Sequence, residues 1–170
     1  MTNEVTNFQD LFVFDVANNH QGSVEHGLKI IRGISEVTKK YGIRGAIKFQ
    51  FRHLDTFIHA DHQENSEAAH IPRFLSTRLN PEDYQVLLDE IHAQDMLAMC
   101  TPFDEESVDI IVDMGFDYIK VASCSGRDWP LLDKVADSDL PTVFSTGGLE
   151  INQIDDLVSF FSHRGVDAAL

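Results

Sequence analysis

The sequence of 170 residues sets 13 Lys plus Arg against 28 Asp plus Glu, a formal net charge of −15 with its eight His neutral, which argues against nucleic acid or an anionic membrane surface as partners because both require a basic face. A content of 43% hydrophobic and 24% charged residues excludes a disordered chain and fits one domain with a sizeable core. No apolar run approaches the roughly 20 residues of a membrane span, the polar N-terminus has no basic targeting region, and Cys100 and Cys124 make no disulfide framework, so a reduced, cytoplasmic setting is expected.

Along the chain, two hydrophobic periods alternate. Leu11–Ala17 is short, apolar and rich in β-branched and aromatic residues, and reads as a buried strand. Ser23 is placed to cap a helix running to about Tyr41, with Leu28, Ile31, Ile34 and Val37 on one stripe and Gly42 closing it. Ala46–Phe51 is the second strand. The stretch 52–79 shows no clean period and holds His53, His59, His62 and His70, whose spacing matches no familiar zinc pattern; it reads as a long loop with solvated histidines. Asn80 and Pro81 are a cap and first-turn residue for the next helix, with Tyr84, Leu87, Leu88 and Ile91 as its apolar stripe.

Beyond it the unit shortens. Strands are expected at Met96–Cys100, Tyr118–Ala122 and Thr142–Ser145, and helices at Glu105–Met114, Pro130–Ala136 and Asn152–His163, with Asp167–Leu170 beginning another strand. Five successive βα units and the start of a sixth strand imply a parallel sheet with helices outside it. The expectation is a (β/α)8 TIM barrel of which the chain supplies the first five βα units and the start of strand six. A complete barrel of this type takes about 250 residues, so residues 1–170 are expected to be the N-terminal portion of such a domain, completed by further chain or by a partner.

In parallel βα architectures, ligands bind at the carboxyl ends of the strands. Each strand end here carries polar side chains: Asp15 and the Asn18–Gly22 loop, Lys48 and Gln50, Thr101, Lys120 and Ser123, then Ser145 and Gly147–Gly148. The two lysines are the sharpest signal, because a lysine in a strand that reads as buried is costly unless it is paired. Strand alternation puts Lys48 and Gln50 on the face opposite Phe49 and Phe51, and Lys120 opposite Ile119 and Val121. Inward-facing lysines with Thr101, Ser123 and Ser145 suit an anion such as phosphate or carboxylate. Other readings stay open: a structural ion pair between a lysine and Asp15, hydroxyls that merely cap helices, or a Schiff-base lysine at Lys48 or Lys120. The sequence contains no phosphate loop and no serine-hydrolase elbow.

Five stretches in register, Asn18–Gly22, Lys48–Gln50, Thr101–Asp104, Tyr118–Ser123 and Ser145–Gly148, resemble the N-acetylneuraminate (sialic acid) synthase family, which condenses phosphoenolpyruvate with an N-acetylated amino sugar. The resemblance runs from about residue 11 to residue 170. It implies that Lys48, Thr101, Lys120, Ser123 and Ser145 hold phosphoenolpyruvate, that Gln50 lies near the acceptor sugar, and that Lys48, Lys120 and Asp15 are the catalytic residues. His20 belongs to the loop after the first strand, at the barrel mouth. Two positions depart from the family pattern: Asp15 stands where the family has Glu, and Ser123-Cys124-Ser125 where it has Ser-Gly-Glu. A Schiff-base aldolase and a non-catalytic sugar-binding relative are the competing functions.

The resemblance further implies a divalent metal, Mn or Mg, with no ligands within this chain, a homodimer, and an antifreeze-like C-terminal domain that the chain lacks. The 170-residue chain on its own is therefore expected to be inactive.

Overall fold

A computed structural model of the chain describes residues 8–63, 68 and 70–170. The βα alternation read from the sequence is realised as six strands, β1 (Leu11–Ala17), β2 (Arg44–Phe51), β3 (Leu97–Pro102), β4 (Tyr118–Val121), β5 (Thr142–Phe144) and β6 (Ala168–Ala169). They lie in chain order in one sheet, and every neighbouring pair is parallel. The sheet curls into a half-barrel, with α1 (Val24–Tyr41), α4 (Pro81–Ala93), α5 (Glu105–Met114), α6 (Trp129–Ala136) and α7 (Ile151–His163) following β1 to β5.

The two faces of the sheet have different chemistry. On the helix side, Ile47, Phe49 and Phe51 of β2 and Ile119 and Val121 of β4 join Ile31, Leu87, Leu88, Ile91 and Ile111 in one continuous core. Alternation sends Ala46, Met99 and Tyr118 to the concave side, where they form a smaller apolar cluster with Phe8, Leu11, Leu97 and Val143. Further toward the carboxyl ends the same face turns polar, with Asp15, Lys48, Gln50, Thr101 and Lys120 in successive inward positions.

Capping is as the sequence predicts. Ser23 Oγ accepts the His26 amide at 3.2 Å, and Gly42 closes α1 at φ +64°, a left-handed conformation that glycine adopts without strain. Asn80 Oδ1 accepts the Asp83 amide at 2.8 Å at the head of α4. Asn80→Ala is expected to cost about 1 kcal/mol, read as a lowered urea midpoint of the full-length protein; an unmoved midpoint would show that this cap contributes nothing.

Two expectations need correction. β1 is not a buried strand: Phe12 is 58% and Val13 42% exposed, because among the described residues it pairs only with β2 and lies at the sheet edge, which leaves one flank and the concave side open. The stretch 52–79 is not a bare loop either. Its described residues include α2 (Leu54–Phe57), a 3-10 turn (Ala60–His62) and α3 (Ile71–Ser76). Each is too short for a 3.6-residue period to register in the sequence.

Candidate active site

The site starts from β1 and β2, whose register sets Asp15 beside Lys48. Lys48 Nζ lies 2.8 Å from Asp15 Oδ1; the lysine side chain is 9% exposed and the aspartate 58%. The ion pair that the sequence left as an alternative account of Lys48 is thus present, made by a carboxylate that faces the open mouth. Lys120 projects from β4 on the same concave face, and its Nζ donates to the Val121 carbonyl at 2.9 Å. Burial pushes the Lys120 ammonium pKa down, the Lys48 charge pushes it further, and Asp15 and Cys124 act in the opposite sense. The two lysines therefore share one electrostatic neighbourhood, in which Asp15 pairs directly with Lys48 and acts on Lys120 through its charge alone.

Gln50 and Thr101 are register partners on β2 and β3. Thr101 is buried, and its Oγ1 has no hydrogen-bond partner; a buried hydroxyl left unpaired is costly and marks a place where a ligand group or water would be held. Ser123 opens a 3-10 turn (Ser123–Ser125) directly after β4. The Ser145 amide donates to the same Val121 carbonyl at 3.1 Å, which ties the ends of β4 and β5 together. A Cβ at Gly147 would lie 3.7 Å from Ser123 Cβ and 3.9 Å from Ser123 Oγ, ordinary contact distances, so the loop after β5 lies close to Ser123. The geometry thus joins Asp15 and Lys48 directly, brings Lys120 within their electrostatic reach, sets Gln50 and Thr101 on the adjoining strands, and places Ser123 and Ser145 at the ends of β4 and β5.

His20 stands elsewhere than expected. It is fully buried on the helix side, edge-on to Phe49 at 6.0 Å and Tyr84 at 5.8 Å, with Nδ1 accepting the Gly22 amide at 3.2 Å. Burial, aided by nearby His26, lowers its pKa to about 4. Three successive turns (Asn19 N to Val16 O, Gln21 N to Asn18 O, Ser23 N to His20 O) fold the loop outward and carry the ring away from the mouth.

Sequence reasoning missed two residues. Asp104, read only as part of a strand end, is buried; it caps α5 through the Ser107 amide at 2.8 Å and accepts the His53 amide at 3.0 Å. Arg52, two positions beyond Gln50, packs its guanidinium on three phenylalanine rings. Its position past Lys48 and Gln50 on the same face was the available signal. The divalent metal implied by resemblance finds no fit: among the described residues no three His, Cys, Asp or Glu side chains are grouped to hold one. Among the described residues, no helix is long and apolar enough to cross a membrane.

Six parallel strands, flanking helices and a cationic, hydroxyl-bearing mouth define a (β/α)-barrel protein, here a partial barrel. Residues 36–170 match the NeuB family, and the chain belongs to it. It is 48% identical to spore coat polysaccharide biosynthesis protein E, so assigned, of Chromobacterium violaceum, whose crystal structure superposes with a TM-score of 0.91 over 94% of this chain and 48% of the other. It is 26% identical over 144 residues to the N,N'-diacetyllegionaminic acid synthase of Legionella pneumophila, covering 80% of this chain and 39% of that protein. The N-acetylneuraminic acid synthetase of Leptospira borgpetersenii shares the fold at a TM-score of 0.79 and 21% identity, over 94% of this chain and 52% of the other. The chain spans about two-fifths to one half the length of the relatives it matches.

Proposed function

We propose that this chain carries the phosphoenolpyruvate-binding part of a synthase that joins phosphoenolpyruvate to an N-acetylated amino sugar, giving a nonulosonic acid and inorganic phosphate. The observation that carries the reading is the pair of inward lysines beside a buried, unpartnered Thr101 hydroxyl, in a member of the NeuB family. Carbon 3 of phosphoenolpyruvate bonds to the acceptor aldehyde carbon, whose oxygen takes up a proton. Water adds at carbon 2, and phosphate leaves with the C–O bond electrons. Lys48 and Lys120 neutralise the carboxylate and phosphate and offset charge that builds during transfer. Thr101, Ser123 and Ser145 donate hydroxyl protons to the same anion, Asp15 holds Lys48 in place, and Gln50 faces the acceptor. An anion between the lysines also removes their mutual repulsion, so Lys120 is most strongly cationic with the substrate in place.

A divalent metal and a homodimer belong to the same proposal, with metal ligands supplied from outside these residues. The test is phosphate release from phosphoenolpyruvate by the full-length protein, with a panel of N-acetylated hexosamines. Release that depends on one of the sugars supports the reading; none with any of them overturns it. The lowered pKa of Lys120 also favours a second reading, a Schiff-base aldolase, since a desolvated lysine is the usual amine nucleophile. Lys120 would then form an imine with the carbonyl of pyruvate, releasing water, and borohydride would reduce that imine to leave the pyruvate carbons covalently attached to Lys120; a synthase would stay unmodified.

A further inference from the structure

Arg52 stands just past the end of β2, continuing the inward row of Lys48 and Gln50 at two-residue spacing, so its Cα lies about 13 Å along the chain from that of Lys48. Its guanidinium carbon sits 3.7 Å from the centroid of Phe103, 4.4 Å from Phe74 and 5.8 Å from Phe57. Three rings drawn from separate loops and short helices therefore fix one planar cation. Its hydrogen bonding is poor by comparison. Both terminal nitrogens reach only Gln50 Oε1, each at 3.4 Å, and the buried Nε has no partner.

A carboxylate partner is missing although acids outnumber bases 28 to 13 in the chain. Among the described residues no ion pair involves Arg52, whereas neighbouring Arg78 is held by both oxygens of Asp55 at 3.0 and 2.9 Å. Asp104 lies within electrostatic range, but its two oxygens already accept from Ser107 and His53. Burial disfavours the Arg52 charge, and the three rings offset part of that cost while leaving its N–H donors poorly satisfied. The guanidinium lines a narrow cavity of about 30 Å³ together with Asn18, Gln50, Thr77, Arg78 and Tyr84. That volume admits a small polar group and not a whole sugar.

We propose that Arg52, fixed on Phe57, Phe74 and Phe103, binds an anionic oxygen group of the acceptor, a carboxylate or a phosphate, in the cavity beside Gln50. The inference rests on the synthase reading and deepens it by giving the acceptor a charge. The guanidinium fork matches such groups with two parallel hydrogen bonds, and its aromatic bed holds that fork without a carboxylate of the protein's own. The anion displaces only the long contacts to Gln50, whose side chain is then released toward the sugar.

The test uses the full-length protein and three probes: N-acetylmannosamine, its 6-phosphate and its 6-carboxylate. Calorimetric binding is measured for wild type, Arg52→Met and Arg52→Lys, with inorganic phosphate as a further titrant. At least one charged probe is expected to bind more tightly than the neutral sugar, and the charged-to-neutral affinity ratio is expected to fall by at least about 30-fold in Arg52→Met. Methionine keeps contact with the three rings, and Arg52→Lys, which keeps the charge but loses the fork, is expected to fall between the two. Which of the two charged probes is preferred identifies the group. Equal affinity for charged and neutral probes in the wild type, an unchanged ratio in Arg52→Met, or inorganic phosphate matching the charged sugars would overturn the proposal. Phosphate release is scored separately on the same samples. Its absence with every acceptor removes the synthase reading, while binding alone decides the role of Arg52.

Discussion

Lys120→Met in the full-length protein is expected to weaken phosphoenolpyruvate binding by roughly 2–5 kcal/mol, the range for removing one partner of a buried charge contact. Methionine is one atom shorter but keeps an unbranched apolar stem, so packing against the half-barrel wall largely survives and the loss falls on the charge. The half-buried ammonium has only the Val121 carbonyl as a direct partner, and nothing else in the described site replaces it on the β4 side. The measurement is the Michaelis constant for phosphoenolpyruvate together with turnover. Both unchanged would remove Lys120 from the anion site.

The second large effect is on stability. His20 has a pKa of about 4 in the folded protein against 6.5 in the unfolded chain, so between those values the unfolded state binds more protons. Stability is therefore complete above pH 6.5 and falls as the pH drops toward 4, by up to about 3 kcal/mol across the window. His20→Asn keeps an oxygen to accept the Gly22 amide and has no titrating ring. Urea denaturation of the full-length protein at pH 7 and pH 4 is expected to show the larger loss in the wild type. Equal losses in the two proteins would mean that His20 is not held neutral by the fold.

The barrel was legible because its grammar is local. Ser23, Gly42 and Asn80 mark helix ends by chemistry that acts within one turn, and Lys48 and Lys120 announce themselves as charges within otherwise apolar strands. The exposure of β1 was not legible, since Leu11–Ala17 carries the apolar composition of an interior strand while its place at the sheet edge is a property of the whole sheet. His20 was misplaced for a related reason. A loop after a strand is expected to stay at the strand end, but the turns from Val16 to Ser23 lead its ring back into the helix-facing core. Arg52 gave little sign because its environment is assembled from Phe57, Phe74 and Phe103, which are far apart along the chain and lie in stretches without periodicity. A single arginine after a strand reads as a solvated end until those rings are brought together in space.

The Val121 carbonyl has a consequence for how quickly and how selectively the site can work. It accepts both Lys120 Nζ and the Ser145 amide, just as Asp15 accepts Lys48, so neither ammonium swings freely before a ligand arrives. Ordering a lysine side chain costs up to about 2 kcal/mol of conformational entropy, and here folding has already done it for both. Under the proposed function, capture of an anion is an exchange of acceptors at two donors already held. In that proposal a ligand whose charged oxygens cannot reach both held donors at once would lose one of them outright, so the holding contacts would select by the spacing of the ligand's charges.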